Sequence, residues 1–225
     1  MDAESTCWTM IHAAARGSPR ERESLARCYE PVIRAYLRAR WRGRWMDAEL
    51  DDAVQEVFVE VYRKGGVLER VDPARPGGFR AFLYGVLRHV ALRAETQRAR
   101  RRDRAPDEAL DHPATPAEDQ LSRVFDRAWA RSVVREAAER MAQRAADADA
   151  EAVRRVELLR LRFHEGLPIR DIAARWNRDA VLVHRDYARA RKEFKRALIE
   201  VMSFYHPGAA EDAERECAQL LAMLA

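Results

Sequence analysis

Residues 167–195 read LPIRDIAARWNRDAVLVHRDYARARKEFK, and the order of apolar and breaking residues in this stretch decides the fold. Ile169, Ile172, Ala173 and Trp176 recur at three- and four-residue steps, and so do Val183, Tyr187, Ala190 and Phe194. That is the period of a helix, not the alternation of a strand. Asn177, Arg178 and Asp179 separate the two runs. Asn tolerates the left-handed backbone that a tight turn requires, and Asp is a good N-cap for the helix that follows. A short helix, a brief turn and a longer basic helix make a helix-turn-helix, whose second helix enters the major groove of DNA. With Val183, Tyr187, Ala190 and Phe194 inward, Arg178, Leu182, His184, Arg185, Arg189 and Lys192 are left toward solvent or DNA. Periodicity alone favours the plainer alternative, a helical hairpin with a solvated basic face.

The same period extends outward from this stretch. Leu198 and Val201 continue the second run as far as His206-Pro207-Gly208, and Val153, Val156, Leu159 and Phe163 predict an inward face on a preceding helix from Glu151. Helical patterning also covers residues 118–141, whereas 143–150, rich in alanine, reads as a frayed connection. Residues 105–116 hold Pro106, Pro113 and Pro116 with acids and almost no apolar content, the composition of a linker. Before it, Trp8, Ile11 and Ala15 mark a short helix stopped by Gly17. Ser18-Pro19-Arg20-Glu21 reads as a capping box with proline at the first helical position. Leu25, Cys28, Tyr29, Val32, Ile33, Tyr36 and Leu37 then form one stripe, with Pro31 expected to kink it. Leu50, Val54, Val57, Phe58 and Val61 form a third helix, and Phe82, Leu83, Val86, Leu87 and Val90 a fourth that begins near Phe79 and runs into Arg98–Arg102. The loop between them, 65–78, is broken by prolines and glycines. The expected fold is all-α: two helical domains on a flexible linker, the C-terminal one a helix-turn-helix. Within an acidic extension at 203–225, residues 209–225 read as an amphipathic helix with Cys217, Leu220, Leu221 and Leu224 in one stripe, a cap on the last hairpin or, alternatively, a cover over the basic helix.

Composition removes several classes. In 225 residues no apolar run approaches the ~20 that a spanning helix needs, and the acidic Met1–Ser5 lacks the basic start of a secretory leader. Three scattered cysteines and six histidines form neither CxxC nor HExxH. The expectations are therefore a cytoplasmic protein with no disulfide, metal, cofactor, membrane association, small-molecule substrate or catalytic residue. Net charge is +4, but residues 1–104 and 151–202 are basic while 105–150 and 203–225 are acidic. Two basic blocks suggest two contacts with a polyanion.

Two further groups stand out. Asp52, Gln55 and Glu56 share the outer face of an otherwise apolar helix, where polar residues ordinarily mean a wet surface. Phe79, Phe82 and Tyr84 precede the run of arginines, combining aromatic rings with positive charge as single-strand binders do.

Taken in order, these pieces resemble a known family. Thr6, Trp8 and Ile11, Tyr29-Glu30-Pro31, Asp52-x-x-Gln55-Glu56-x-Phe58, Phe79-Arg80-Ala81-Phe82-Leu83-Tyr84-Gly85 and Arg88 are similar to the second domain of extracytoplasmic-function sigma factors. Gly166-Leu167, Asp171-Ile172-Ala173, Val183 and Arg189-Ala190-Arg191 resemble the family's helix-turn-helix fourth domain, and the linker stands where the third is missing. The resemblance covers about 5–202, with domain two at 5–104, the linker at 105–117, domain four at 118–202 and an extension at 203–225. It implies a non-enzymatic subunit that binds core RNA polymerase and directs promoter recognition. Asp52, Gln55 and Glu56 would dock on the clamp helices of the largest subunit. Phe79, Arg80, Tyr84, Arg88, Arg98 and Arg101 would bind the minus-ten element. Arg178, Leu182, His184, Arg185, Arg189 and Lys192 would bind the minus-thirty-five element. An anti-sigma factor is a further candidate partner. The chain departs from the family pattern at His89, Arg93, Pro168, Arg178 and Asp186. A free-standing helix-turn-helix regulator is the alternative, but it leaves the carboxylate face and the aromatic-arginine helix unused.

Overall fold

Eight helices and no strand occupy the residues that the computed structural model describes, which are 7–42, 47–63, 78–104, 115–205, 217, 218 and 220. In chain order they are α1 (Cys7–Ala15), α2 (Pro19–Trp41), α3 (Asp47–Tyr62), α4 (Gly78–Arg104), α5 (Glu118–Ala146), α6 (Ala150–Phe163), α7 (Ile169–Arg175) and α8 (Ala180–Tyr205). Among the described residues none is long and apolar enough to cross a membrane. The chain divides into two compact units, Met1–Ser132 and Val133–Ala225.

In the first unit α1 packs on α2, α2 on α3, and α3 on α4. Gly17, at φ +98°, closes α1 with the paired bonds Gly17 N to Ala14 O and Ser18 N to Ala13 O, the Schellman arrangement that needs a left-handed residue. The expected capping box differs in detail: the Ser18 hydroxyl donates to the Glu21 carboxylate, and no backbone amide is capped by Ser18's side chain. α2 runs through Pro31 as one helix and buries Leu25, Tyr29, Val32, Ile33, Tyr36 and Leu37. Leu83, Leu87 and Val90 of α4 and Val57 and Val61 of α3 complete the core, each large side chain contributing ~1.5–3 kcal/mol. One charge is buried with them. Arg40 donates to both oxygens of Glu95 at 2.7 and 3.1 Å and to the Tyr36 hydroxyl at 3.2 Å, while the Trp41 indole donates to Glu95 at 2.8 Å. A buried guanidinium is tolerable only when its donors are satisfied in this way.

The second unit is built around Leu158, Leu161, Ile169, Ile172, Ala173 and Val183, with Leu167, Trp176 and Tyr187 packed against them. The face of α6 differs from expectation. Ala152, Leu158 and Leu161 are inward, whereas Val153 and Phe163 are exposed. Contact with both α7 and α8 fixes the rotation of α6, and a helix apolar on much of its circumference gives periodicity too little contrast to predict it. α5 also extends further than expected, to Ala146, and Asp149 caps α6 by accepting from Ala152 N at 2.7 Å.

Residues 118–132, assigned from sequence to the second domain, group with the first unit. Leu121, Phe125 and Trp129, four residues apart on α5, are buried there. The expected linker at 105–114, the loop at 65–77, the side chains of Thr6, Trp8 and Arg101, and Leu221 and Leu224 lie outside the described residues. Of the C-terminal stripe, Cys217 and Leu220 are described and are buried.

Candidate nucleic-acid interface

The turn expected between α7 and α8 is present. Asn177 adopts φ +50°, its amide donating to Ala174 O and that of Arg178 to Ala173 O, so Asn takes the left-handed position that closes a Schellman motif. The Asp179 carboxylate accepts from Val181 N at 2.6 Å and from Leu182 N at 3.4 Å, capping α8. Val183 and Ala190 point into the core. Leu182, His184, Arg185, Arg189 and Lys192 are exposed, and among the described residues no ion pair engages the three cations. A helix presenting unpaired guanidinium groups one turn apart can reach a common stretch of DNA.

Arg178 does not join them. It is partly buried, with Nη1 3.7 Å from Asp186 Oδ2 and Nη2 3.9 Å from Glu151, and Asp186 is buried on the inner side of α8. Nη1 makes no hydrogen bond among the described residues. The charges at 178 and 186, both departures from the family pattern, therefore belong to one feature: an ion pair between the turn and α8. Pro168, another departure, caps α7 through its carbonyl, which accepts from Asp171 N and Ile172 N at 3.0 and 3.1 Å. No side-chain cap is used.

In the first unit the expected DNA-facing residues of α4 are mostly engaged. Phe79 is a core residue, 5% exposed and edge-to-face with Tyr29 at 5.2 Å, so it is not available to a base. The aromatic spacing that suggested stacking is used for packing instead. Arg80 lies 3.2 Å from Asp126 and over the Trp129 ring at 5.1 Å. The Tyr84 hydroxyl donates to Glu118 at 2.7 Å, and its ring meets Tyr36 and Phe125 edge-on. Burial, reinforced by the Glu118 hydrogen bond, raises the Tyr84 pKa above its ordinary value. Arg88 is half exposed, 3.4 Å from the same Glu118. Arg98 bonds Glu49.

On α3, Asp52 and Gln55 are exposed as expected, whereas Glu56 is half covered and bonded to Arg93. Arg93, a further departure, thus has a partner within the fold. Val59 continues the same face and is 56% exposed. Sequence reasoning missed Glu118, Asp126 and Asp186 as partners. The spacing of the two α5 acids from Phe125 and Trp129 was the available signal for the first pair; the third had none beyond its departure from the family pattern.

Among the described residues no cluster of three histidine, cysteine or acidic side chains could hold a metal ion. No curated protein matches the chain. Residues 25–104 match the family described as sigma-70 region 2, a span that includes α2 from Leu25, α3 and α4. The helical core around Arg40, the outer face of α3 and the arginines of α4 all fall within it. Residues 25–104 are therefore similar to sigma-70 region 2, the module with which sigma-70 family sigma factors bind RNA polymerase and recognise promoters.

Proposed function

We propose that this protein is a sigma factor of the extracytoplasmic-function type, in which region 2 and a helix-turn-helix suffice for promoter recognition. The observation that carries the finer assignment is the α7–α8 geometry. A left-handed Asn177, an Asp179 cap and an α8 whose outer face holds Arg185, Arg189 and Lys192 follow the region 2 match on the same chain. On this reading α8 reads the minus-thirty-five element, with Arg185 placed for a bidentate guanine contact and Arg189 for a phosphate. Arg80, Tyr84, Arg88 and Arg98 contact the minus-ten region once freed from their internal partners. Phe79 serves the core, and Arg178 holds α8. Asp52 and Gln55 supply the polymerase-facing surface, with Glu56 shared with Arg93.

Run-off transcription tests the proposal. Purified core RNA polymerase is given a genomic promoter library with and without the full chain. Discrete transcripts that require the chain are expected; their absence at saturating chain would reject the assignment.

A further inference from the structure

We propose that the first half of α5 is a built-in cover over the DNA-facing side of α4, so that the free chain holds its own minus-ten-binding groups closed. This inference rests on the proposal that Arg80, Tyr84 and Arg88 contact promoter DNA. Glu118 accepts the Tyr84 hydroxyl at 2.7 Å, and its carboxylate lies 3.4 Å from Arg88 and 3.8 Å from Arg40. Two turns further along α5, Asp126 holds Arg80 at 3.2 Å, while Trp129 lies under the same guanidinium. Phe125 packs edge-on to the Tyr84 ring at 5.3 Å.

The chemistry of the cover is that of the ligand it excludes. Carboxylates stand where phosphates would sit, and aromatic rings lie against the arginine and tyrosine as bases would. Competing occupants of one set of groups make a two-state device: the segment and the nucleic acid cannot hold the same arginines together. The ion pairs are partly exposed, Arg80 and Asp126 each by about a third, so each is individually weak. A cover built from such bonds can open when polymerase and promoter supply stronger contacts. Nothing in the match over 25–104 requires it, because Glu118–Trp129 lie beyond that span.

The experiment uses the full chain without polymerase and a fluorescent single-stranded DNA 20-mer of mixed sequence at low salt. Glu118→Gln with Asp126→Asn keeps the shape of both side chains and removes their charge. Glu139→Gln with Asp147→Asn removes the same charge from exposed positions elsewhere on the chain. The cover predicts roughly three- to tenfold tighter binding for the first pair, no comparable gain for the second, and loss of the gain when Arg80→Ala and Arg88→Ala are added. Equal gains in both pairs would reduce the effect to net charge and overturn the proposal. If the first pair changes nothing while the arginine variants weaken binding in the parent chain, the cover is rejected and the DNA-facing role of α4 stands. If neither moves, that role fails and the cover fails with it.

Discussion

Helix α4 of the first unit and the outer face of α8 in the second treat their arginines in opposite ways. On α4, Arg80, Arg88, Arg93 and Arg98 each have a carboxylate partner within the first unit. On the outer face of α8, Arg185 and Arg189 have no ion pair among the described residues. The sequence presents both helices as arginine-rich with apolar inner faces, and composition makes them equivalent. The fold separates them into a surface ready for a polyanion and one already occupied by the chain's own acids. Positive charge counts toward binding only to the extent that it is unpaired, and pairing is set by tertiary packing.

The largest effect expected from this contrast is on stability. Arg40→Ala would remove the guanidinium that donates to Glu95 and Tyr36, leave the Trp41 indole on Glu95, and destabilise the first unit by ~3 kcal/mol. Hydrogen exchange resolved by segment should show faster exchange in α2–α4 and unchanged protection in α6–α8; loss of protection in both would mean that the two units unfold together.

Next comes DNA binding by α8. Arg185→Ala should cost ~1–3 kcal/mol and relax preference at one base pair. Arg189→Ala should weaken all sequences alike and lower the salt slope by about one unit. Arg178→Ala sharpens the contrast: because its guanidinium lies by Asp186 and Glu151, the salt slope should stay unchanged while the melting temperature falls. A slope lowered by one unit would show that Arg178 leaves its internal partners to meet DNA.

A smaller effect separates the carboxylates of α3. Asp52→Arg should weaken binding to core polymerase roughly tenfold, and Glu56→Gln less, since Glu56 is already held by Arg93. Equal losses in a pull-down titration would mean that the Glu56–Arg93 bond opens on docking.

The smallest expected effects concern pH, and they differ in sign between two tyrosines of the first unit and Glu200 of the second. Burial pushes Tyr62 up to about 12, and Tyr84 is raised by burial and by Glu118. Both hydroxyls keep their protons in the fold at pH values where the unfolded chain loses them, so stability falls as pH rises above the ordinary tyrosine value of 10.0. In the second unit the Arg144 guanidinium bonded to Glu200 holds that carboxyl below its ordinary 4.5. Its contribution is present above 4.5 and lost as pH falls further. Tyr62→Phe with Tyr84→Phe should flatten the alkaline limb of melting temperature against pH, and Glu200→Gln the acid limb. A wild-type profile retained in either variant would remove that residue from the account.

Much of this architecture is legible along the chain because it depends on neighbours in sequence. The apolar steps through α2 and α4, the left-handed Asn177 and the Asp179 cap are local, and local chemistry decides them. The inner face of α6 and the engagement of Arg80 by Asp126, forty-six positions later in the chain, are not local. Phe79 shows the same limit from the other side. An aromatic beside arginines suits both a base and a core, and only the edge-on approach of Tyr29 assigns it to the core.

Electrophoretic mobility shift on promoter fragments enriched by transcription, run with and without core RNA polymerase, tests the central claim most directly. A sigma factor should give a sequence-specific shift only when chain and core are both present, and the Asp52→Arg variant should need more core to give it. An equally specific shift from the chain alone, unchanged by core, would contradict the account and identify a free-standing DNA-binding regulator.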